Sequence, residues 1–195
     1  MTKISRRHIL ATGGAFISAA LSAPAALAME RKSDTPAGQD PIIAPPKLEF
    51  AFRVHVTIGE AVELGVVHGG RKRMIPITGG TFEGPKIKGV VLPGGADWQE
   101  IRSDGVADIL AIYALRADDG TEITVENPGF RHAPAPILEK LSKGEPVDPA
   151  LYYFRTAPRL TVSENSPHAW LGKTVFTCTA ARYSEDVILD YYAVL

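Results

Sequence analysis

Pro76-Ile-Thr-Gly-Gly-Thr-Phe-Glu-Gly-Pro85, then Leu92-Pro-Gly-Gly-Ala-Asp-Trp-Gln99 and the pair Asp104-Gly105, form the stretch on which the fold turns. Short β-prone runs alternate there with glycine pairs. Such pairs permit positive φ and close backbone approach, so they predict tight corners rather than regular elements. Asp97, Trp98, Arg102 and Asp104 fall on or beside those corners. A carboxylate next to an indole in that setting suits a pocket rim, and equally an ordinary barrel corner.

On the amino-terminal side of this block, Leu48, Phe50, Phe52, Val54, Val56 and Ile58 alternate with Glu49, Ala51, Arg53, His55 and Thr57. That period of two marks a long, half-buried strand. Further strands are predicted near 71–78, 81–92 (bent at Gly84-Pro85), 97–103, 106–116, 121–127, 152–162, 174–183 and 186–194. Asp118-Asp119-Gly120 reads as a hairpin turn of the primed kind, since Asp-Gly suits positive φ. One helix is expected from Pro134 to Lys143, stopped by Gly144, with Ile137, Leu138 and Leu141 at helical spacing. The pattern is all-β: a single closed antiparallel β-barrel of about eight to nine strands, with a two-sheet sandwich as the alternative. Val187, Leu189 and Tyr191 in the last strand are placed to close onto the first.

The chain has 195 residues. Residues 1–28 carry Lys3, Arg6 and Arg7, an apolar run from Ile9 to Leu21 and a terminal Ala26-Leu27-Ala28, the pattern of an export signal cleaved after Ala28. Ser5-Arg6-Arg7-His8-Ile9-Leu10 is close to the twin-arginine pattern. The apolar run is shorter than the ~20 residues of a membrane span, so no span is expected after processing. Residues 29–46, with Pro36, Pro41, Pro45 and Pro46, read as a flexible linker, and 47–195 as the barrel domain. The expected location is therefore periplasmic or exported, with the export machinery as a partner.

Loss of the three basic residues of the signal takes the formal charge from −1 to −4. A mildly acidic protein whose one basic cluster is Arg71-Lys72-Arg73 does not fit a nucleic-acid partner. Cys178 is the single cysteine, so no intrachain disulfide can form. It is expected to be a buried strand residue, inert as most such thiols are.

The block quoted at the outset, with Asp118-Asp119-Gly120, Asn127-x-Gly129-x-Arg131, Tyr152-Tyr-Phe-Arg-Thr156 and Trp170-Leu171, resembles domain-of-unknown-function family 3237, also known as uncharacterised protein family 0311. The resemblance runs from about Lys47 to the end of the chain. It implies a small calycin-like or allene-oxide-cyclase-like β-barrel. It also implies a link to cofactor-free, stereoselective cyclisation by hydroalkoxylation, a reaction associated with at least one fungal relative.

A cofactor-free reaction needs an acid or base with a shifted pKa in a partly dry pocket. Asp97 and Asp104 are the leading candidates, although aspartate at Gly-rich corners also caps turns. Arg131 and His132 are candidates for electrostatic partner or acid. Trp98 and Trp170 could wall a ligand or pack in the core. Arg102 and Arg155, like Arg131, could clamp a carboxylate or phenolate, or pair with nearby aspartates. His68, on a loop, and Tyr113 complete the substrate-binding candidates.

None of His55, His68, His132 and His168 has metal-ligand spacing to another donor, so no metal is expected. No Gly-Lys-Ser/Thr follows the glycine pairs and no Gly-x-Ser-x-Gly elbow occurs, which sets aside phosphate loops and acyl transfer. Three readings remain: an exported, cofactor-free cyclase, isomerase or lyase; a non-catalytic periplasmic binding barrel; and a structural or oligomeric scaffold with a filled barrel. A homo-oligomer is compatible with each.

Overall fold

Inward-facing aliphatic and aromatic side chains on alternate positions of the ring strands produce the architecture seen in the computed structural model. It describes residues 43–195. The export signal expected at 1–28 and the linker up to residue 42 lie outside the described residues. In order the elements are β1 (Leu48–Ile58), β2 (Val62–Val67), β3 (Gly70–Glu83), β4 (Lys88–Val91), β5 (Gly95–Ile101), β6 (Ala107–Ala117) and β7 (Glu122–His132). Then follow α1 (Ala135–Ser142), β8 (Tyr153–Thr156), β9 (Arg159–Val162), β10 (Phe176–Arg182) and β11 (Asp186–Val194). Single 3₁₀ turns occupy Pro149–Leu151 and Ala169–Lys173.

Eight strands close a ring in the spatial order β1, β3, β5, β6, β7, β8, β10, β11, every neighbour antiparallel. The last strand pairs along the first from Leu48↔Val194 to Thr57↔Asp186, which removes both sheet edges. β2 extends β3 beyond the ring, β4 bridges β3 and β6, and β9 lies along the first half of β7.

Two of the expected corners differ from the sequence expectation. Gly79-Gly80 is not a corner: β3 runs through it as one strand. An extra residue is absorbed there, because Thr57 pairs with Gly79 while Ile58 pairs with Ile77. The bulge moves the inward parity from Ile75 and Ile77 to Phe82, so one strand serves both halves of the barrel. The 118–120 turn is a hairpin, but only Gly120 has positive φ (87°). Its amide bonds back to Ala117 O at 2.8 Å, and Asp119 accepts from Thr121 N at 2.9 Å. This is a turn ending in a glycine bulge rather than a two-residue primed turn.

One half of the barrel is filled. Phe52 stacks on Tyr191 with ring centroids 4.5 Å apart and meets Phe82 edge-on at 5.8 Å, among Phe176, Leu115, Ile123 and Leu171. Cys178 is fully buried there, as expected, and burial pushes its thiol pKa up. The other half, under α1, holds polar residues.

Candidate functional site

The polar half is built from the ends of β1, β5, β7 and β10 and the starts of β3, β6 and β11. Alternation aims Asp97 and Gln99 of β5 inward together. The same rule aims Asn127 and Arg131 inward from β7, Tyr113 from β6, Thr156 from β8 and Arg182 from β10, and all seven line one chamber. β7 reaches this far because it continues through Pro128-Gly129, where the sequence reading ended it. Gly129 makes the passage possible, since a Cβ there would overlap the Arg155 carbonyl oxygen.

The chamber is narrow, about 40 Å³ in volume. Beside it lies a vestibule of about 390 Å³, walled by Arg71, Arg73, Ile75, Ile101 and, from α1, Leu138, Glu139 and Leu141. Arg131 and Arg182 line both spaces.

Arg73 donates to Gln99 Oε1 from Nε and Nη2 at 2.9 and 2.7 Å, and the Gln99 amide nitrogen donates to Asp97 Oδ2. Asp97 Oδ1 is shut off from solvent and makes no hydrogen bond among the described residues. Asn127 Oδ1, Arg131 Nε and Thr156 Oγ1 share that condition. Buried polar atoms are nearly always bonded, so four orphaned ones around one chamber mark it as the candidate site.

Burial raises the Asp97 pKa, against the opposing effects of the Gln99 hydrogen bond and of Arg131, Arg73 and Arg182. Burial and then the charge of Arg73 push Arg131 down to about 10. Arg73 and Arg182 are also lowered, in each case chiefly by burial. Tyr113, wholly buried, is raised by desolvation, and its hydroxyl meets that of Tyr191 at 2.6 Å.

Of the residues singled out from sequence, Asp97, Arg131 and Tyr113 come together here. The others do not. Trp98 follows Asp97 on a strand and so points to the opposite, outer face, where it is 48% exposed; it cannot wall the chamber. Asp104 caps its own turn through Val106 N at 3.1 Å and pairs with Arg102 at 2.7 Å on the surface, which corrects the catalytic reading of the one and the ligand-clamp reading of the other. His132 is exposed and stacks on Tyr153 outside the barrel, and Arg155 lies over the same ring. His68 sits in the β2–β3 turn with φ of 52°. Trp170 packs on Phe176 at the far end of the barrel.

Gln99, Asn127, Thr156, Arg73 and Arg182 were missed. The parity signal was available for two of them: Gln99 lies two residues after Asp97, and Arg73 two before Ile75. No three His, Cys, Asp or Glu side chains gather as a metal site among the described residues.

The family described as a protein of unknown function, DUF3237, matches residues 46–194. The chain belongs to this family. A DUF3237 relative from Rhodopseudomonas palustris (strain TIE-1), an uncharacterised UPF0311 protein, is 42% identical over 152 residues, 77% of this chain and 99% of the relative. A crystal structure of a conserved Rhodopseudomonas palustris protein of unknown function superposes with a TM-score of 0.75 at 40% identity, covering 78% of this chain and 100% of that one. A β-barrel-like protein of Acinetobacter baumannii AYE superposes with a TM-score of 0.68, also at 40% identity, over 78% of this chain and 98% of that one. DUF3237 membership and the closed barrel thus agree, and neither specifies a reaction.

Proposed function

We propose that this protein is an exported barrel whose mouth binds a small organic molecule, with an aromatic, polyketide-like or glycosidic body, and acts on it as a cyclase, isomerase or lyase by cofactor-free acid–base chemistry. The observation that carries the reading is the Asp97 carboxylate. It points into the chamber rather than onto turn amides, keeps Oδ1 unbonded and has a raised pKa. A carboxylate so placed is a stronger base than one in water. Oδ1 takes a proton from a C–H or O–H of the ligand, and the negative charge left on the ligand faces Arg131. Tyr113, with its hydroxyl tied to Tyr191, shapes the chamber wall. Export rests on the signal pattern of residues 1–28.

A carrier of the lipocalin kind calls for a deep, mostly apolar cavity that no carboxylate enters. The narrow chamber and the inward Asp97 weigh against that alternative. The test begins with mass spectrometry of metabolites retained by the purified protein, followed by turnover of the captured compound. Asp97→Asn should lower kcat by roughly 10²-fold or more while KM changes little. Undiminished turnover would remove Asp97 from the chemistry.

A further inference from the structure

We infer that the ligand of the barrel mouth is an organic carboxylate, its head group bound by the Arg131 guanidinium and its apolar body lying in the vestibule against Ile75, Ile101 and Leu138. This rests on the barrel mouth being the ligand site, and it adds the substrate's charge class.

Arg131 is only 7% exposed, yet no carboxylate lies within ion-pairing distance of it among the described residues, and its Nε has no hydrogen-bond partner. Its guanidinium lies over the Phe154 ring at 5.7 Å, a contact that leaves its donors unused. Four surface arginines differ. Arg53, Arg71, Arg102 and Arg116 pair with Asp190, Glu63, Asp104 and Glu122 near the surface.

Inside the mouth, Arg73 is committed to Gln99, and Arg182 donates to the carbonyls of Tyr183, Ser184 and Asp186. Three arginines thus surround one carboxylate, Asp97, which has no direct ion pair with any of them. A guanidinium removed from water without a counter-ion is costly, and its planar fork matches a carboxylate with two parallel hydrogen bonds. Because Arg131 lines both chamber and vestibule, it stands where the head of a ligand entering from the vestibule would stop. Ile75, Ile101, Leu138 and Leu141 line the vestibule beside Arg71, Arg73 and Glu139, so it offers an apolar body a surface that a bare inorganic anion would leave unused.

The probes are 2-naphthoate, its neutral isostere 2-naphthamide, and sulfate at matched ionic strength. Calorimetry and thermal shift are read near neutral pH on the purified protein. Naphthoate should bind saturably and raise Tm. Naphthamide should bind at least tenfold more weakly, and sulfate should not compete. Arg131→Met should lose at least tenfold in naphthoate affinity while its ligand-free Tm equals or exceeds that of wild type, because a buried charge with no direct ion pair has gone. A purely structural arginine would give a lower Tm on removal. Arg131→Lys, which keeps the charge without the fork, should fall between the two, and Arg116→Ala should bind as wild type does.

Equal binding of acid and amide, full competition by sulfate, or unchanged affinity in Arg131→Met would overturn the inference. Asp97→Asn separates this result from the catalytic reading. It should keep or gain naphthoate affinity whether or not Asp97 acts as a base.

Discussion

Gln99 and Asp97, two residues apart on β5, face into the barrel together and share a hydrogen bond in which the Gln99 amide is the donor. The amide orientation follows from its other side, where Arg73 donates twice to Oε1, so Nε2 must face Asp97. Arg73 thereby acts on the carboxylate through an amide rather than by a direct ion pair. Oδ2 is held and Oδ1 is left toward the chamber.

Gln99→Leu removes the donor from Asp97 and the acceptor from Arg73. The expected loss of stability is about 1–3 kcal/mol, the usual consequence of leaving buried polar groups unsatisfied. The Asp97 pKa should move further up, because the hydrogen bond that favours its charged form is gone. Urea unfolding reports the first effect, and the acid limb of the rate profile or side-chain NMR reports the second. A Gln99→Leu protein with unchanged stability and an unchanged Asp97 titration would refute the linkage.

The pH dependence of stability has a definite sign. Asp97 titrates higher in the folded protein than the ordinary carboxylate value, so the folded state holds this proton more tightly than the unfolded chain does. Its contribution is complete below the unfolded value of about 4 and is lost as pH rises through the raised folded value. Above that window wild type carries an unfavourable buried charge, which Asp97→Asn does not. The variant should therefore equal or exceed wild type in unfolding free energy at about pH 8, with the advantage shrinking toward about pH 4. Turnover should run the opposite way and rise with pH through the same window, since only the ionised carboxylate accepts a proton. Denaturant melts at several pH values decide the first point; a variant markedly less stable than wild type at pH 8 would make Asp97 a structural group.

Between the filled and polar halves, the Tyr113 and Tyr191 hydroxyls meet at 2.6 Å with no access to water. Removing either one orphans the other. Tyr113→Phe and Tyr191→Phe should each cost about 1–3 kcal/mol, and the double variant less than their sum, with a coupling of about 0.5–3 kcal/mol. Additive losses in a double-mutant cycle would mean that the two hydroxyls do not depend on each other.

The barrel was legible where burial imposes a period. β1 alternates Phe52, Val54 and Val56 against Arg53, His55 and Thr57, and both its length and its closure onto Val187, Leu189 and Tyr191 follow from that. β2 was not legible, because Val62–Val67 is exposed at every position and no parity is imposed on it. The site was half legible. Asp97 stood out as a carboxylate beside a glycine corner, but the grouping of Asp97 with Trp98 ignored that neighbours on a strand face opposite ways. The arginines were hidden for another reason: Arg73, Arg131 and Arg182 lie more than fifty residues apart from one another, and only ring closure brings them to one vestibule.

The glycine pairs offer a last contrast, since two glycines of the same block do different work. Gly80 has φ of 137°, and a Cβ there would overlap the His55 carbonyl oxygen, so β3 can pass this close to β1 only without a side chain. Gly94 has φ of 102° but open space around it, so a methyl group there meets only backbone strain. Gly94→Ala should cost about 1–3 kcal/mol from that strain alone. Gly80→Ala adds overpacking of about 1–3 kcal/mol to a strain of the same size. The sum of about 2–6 kcal/mol approaches the whole stability of many domains, about 5–15 kcal/mol. The local consequence is specific: relief of the overlap pushes β3 off β1 at the bulge that switches inward parity between Ile77 and Phe82. Gly80→Ala should therefore loosen the aromatic core around Phe52 and Phe82 and lower the near-ultraviolet circular dichroism, whereas Gly94→Ala should lower Tm with that signal intact. Equal losses in the two variants, with the aromatic signal intact in both, would show that the Gly79-Gly80 pair serves only as a flexible joint.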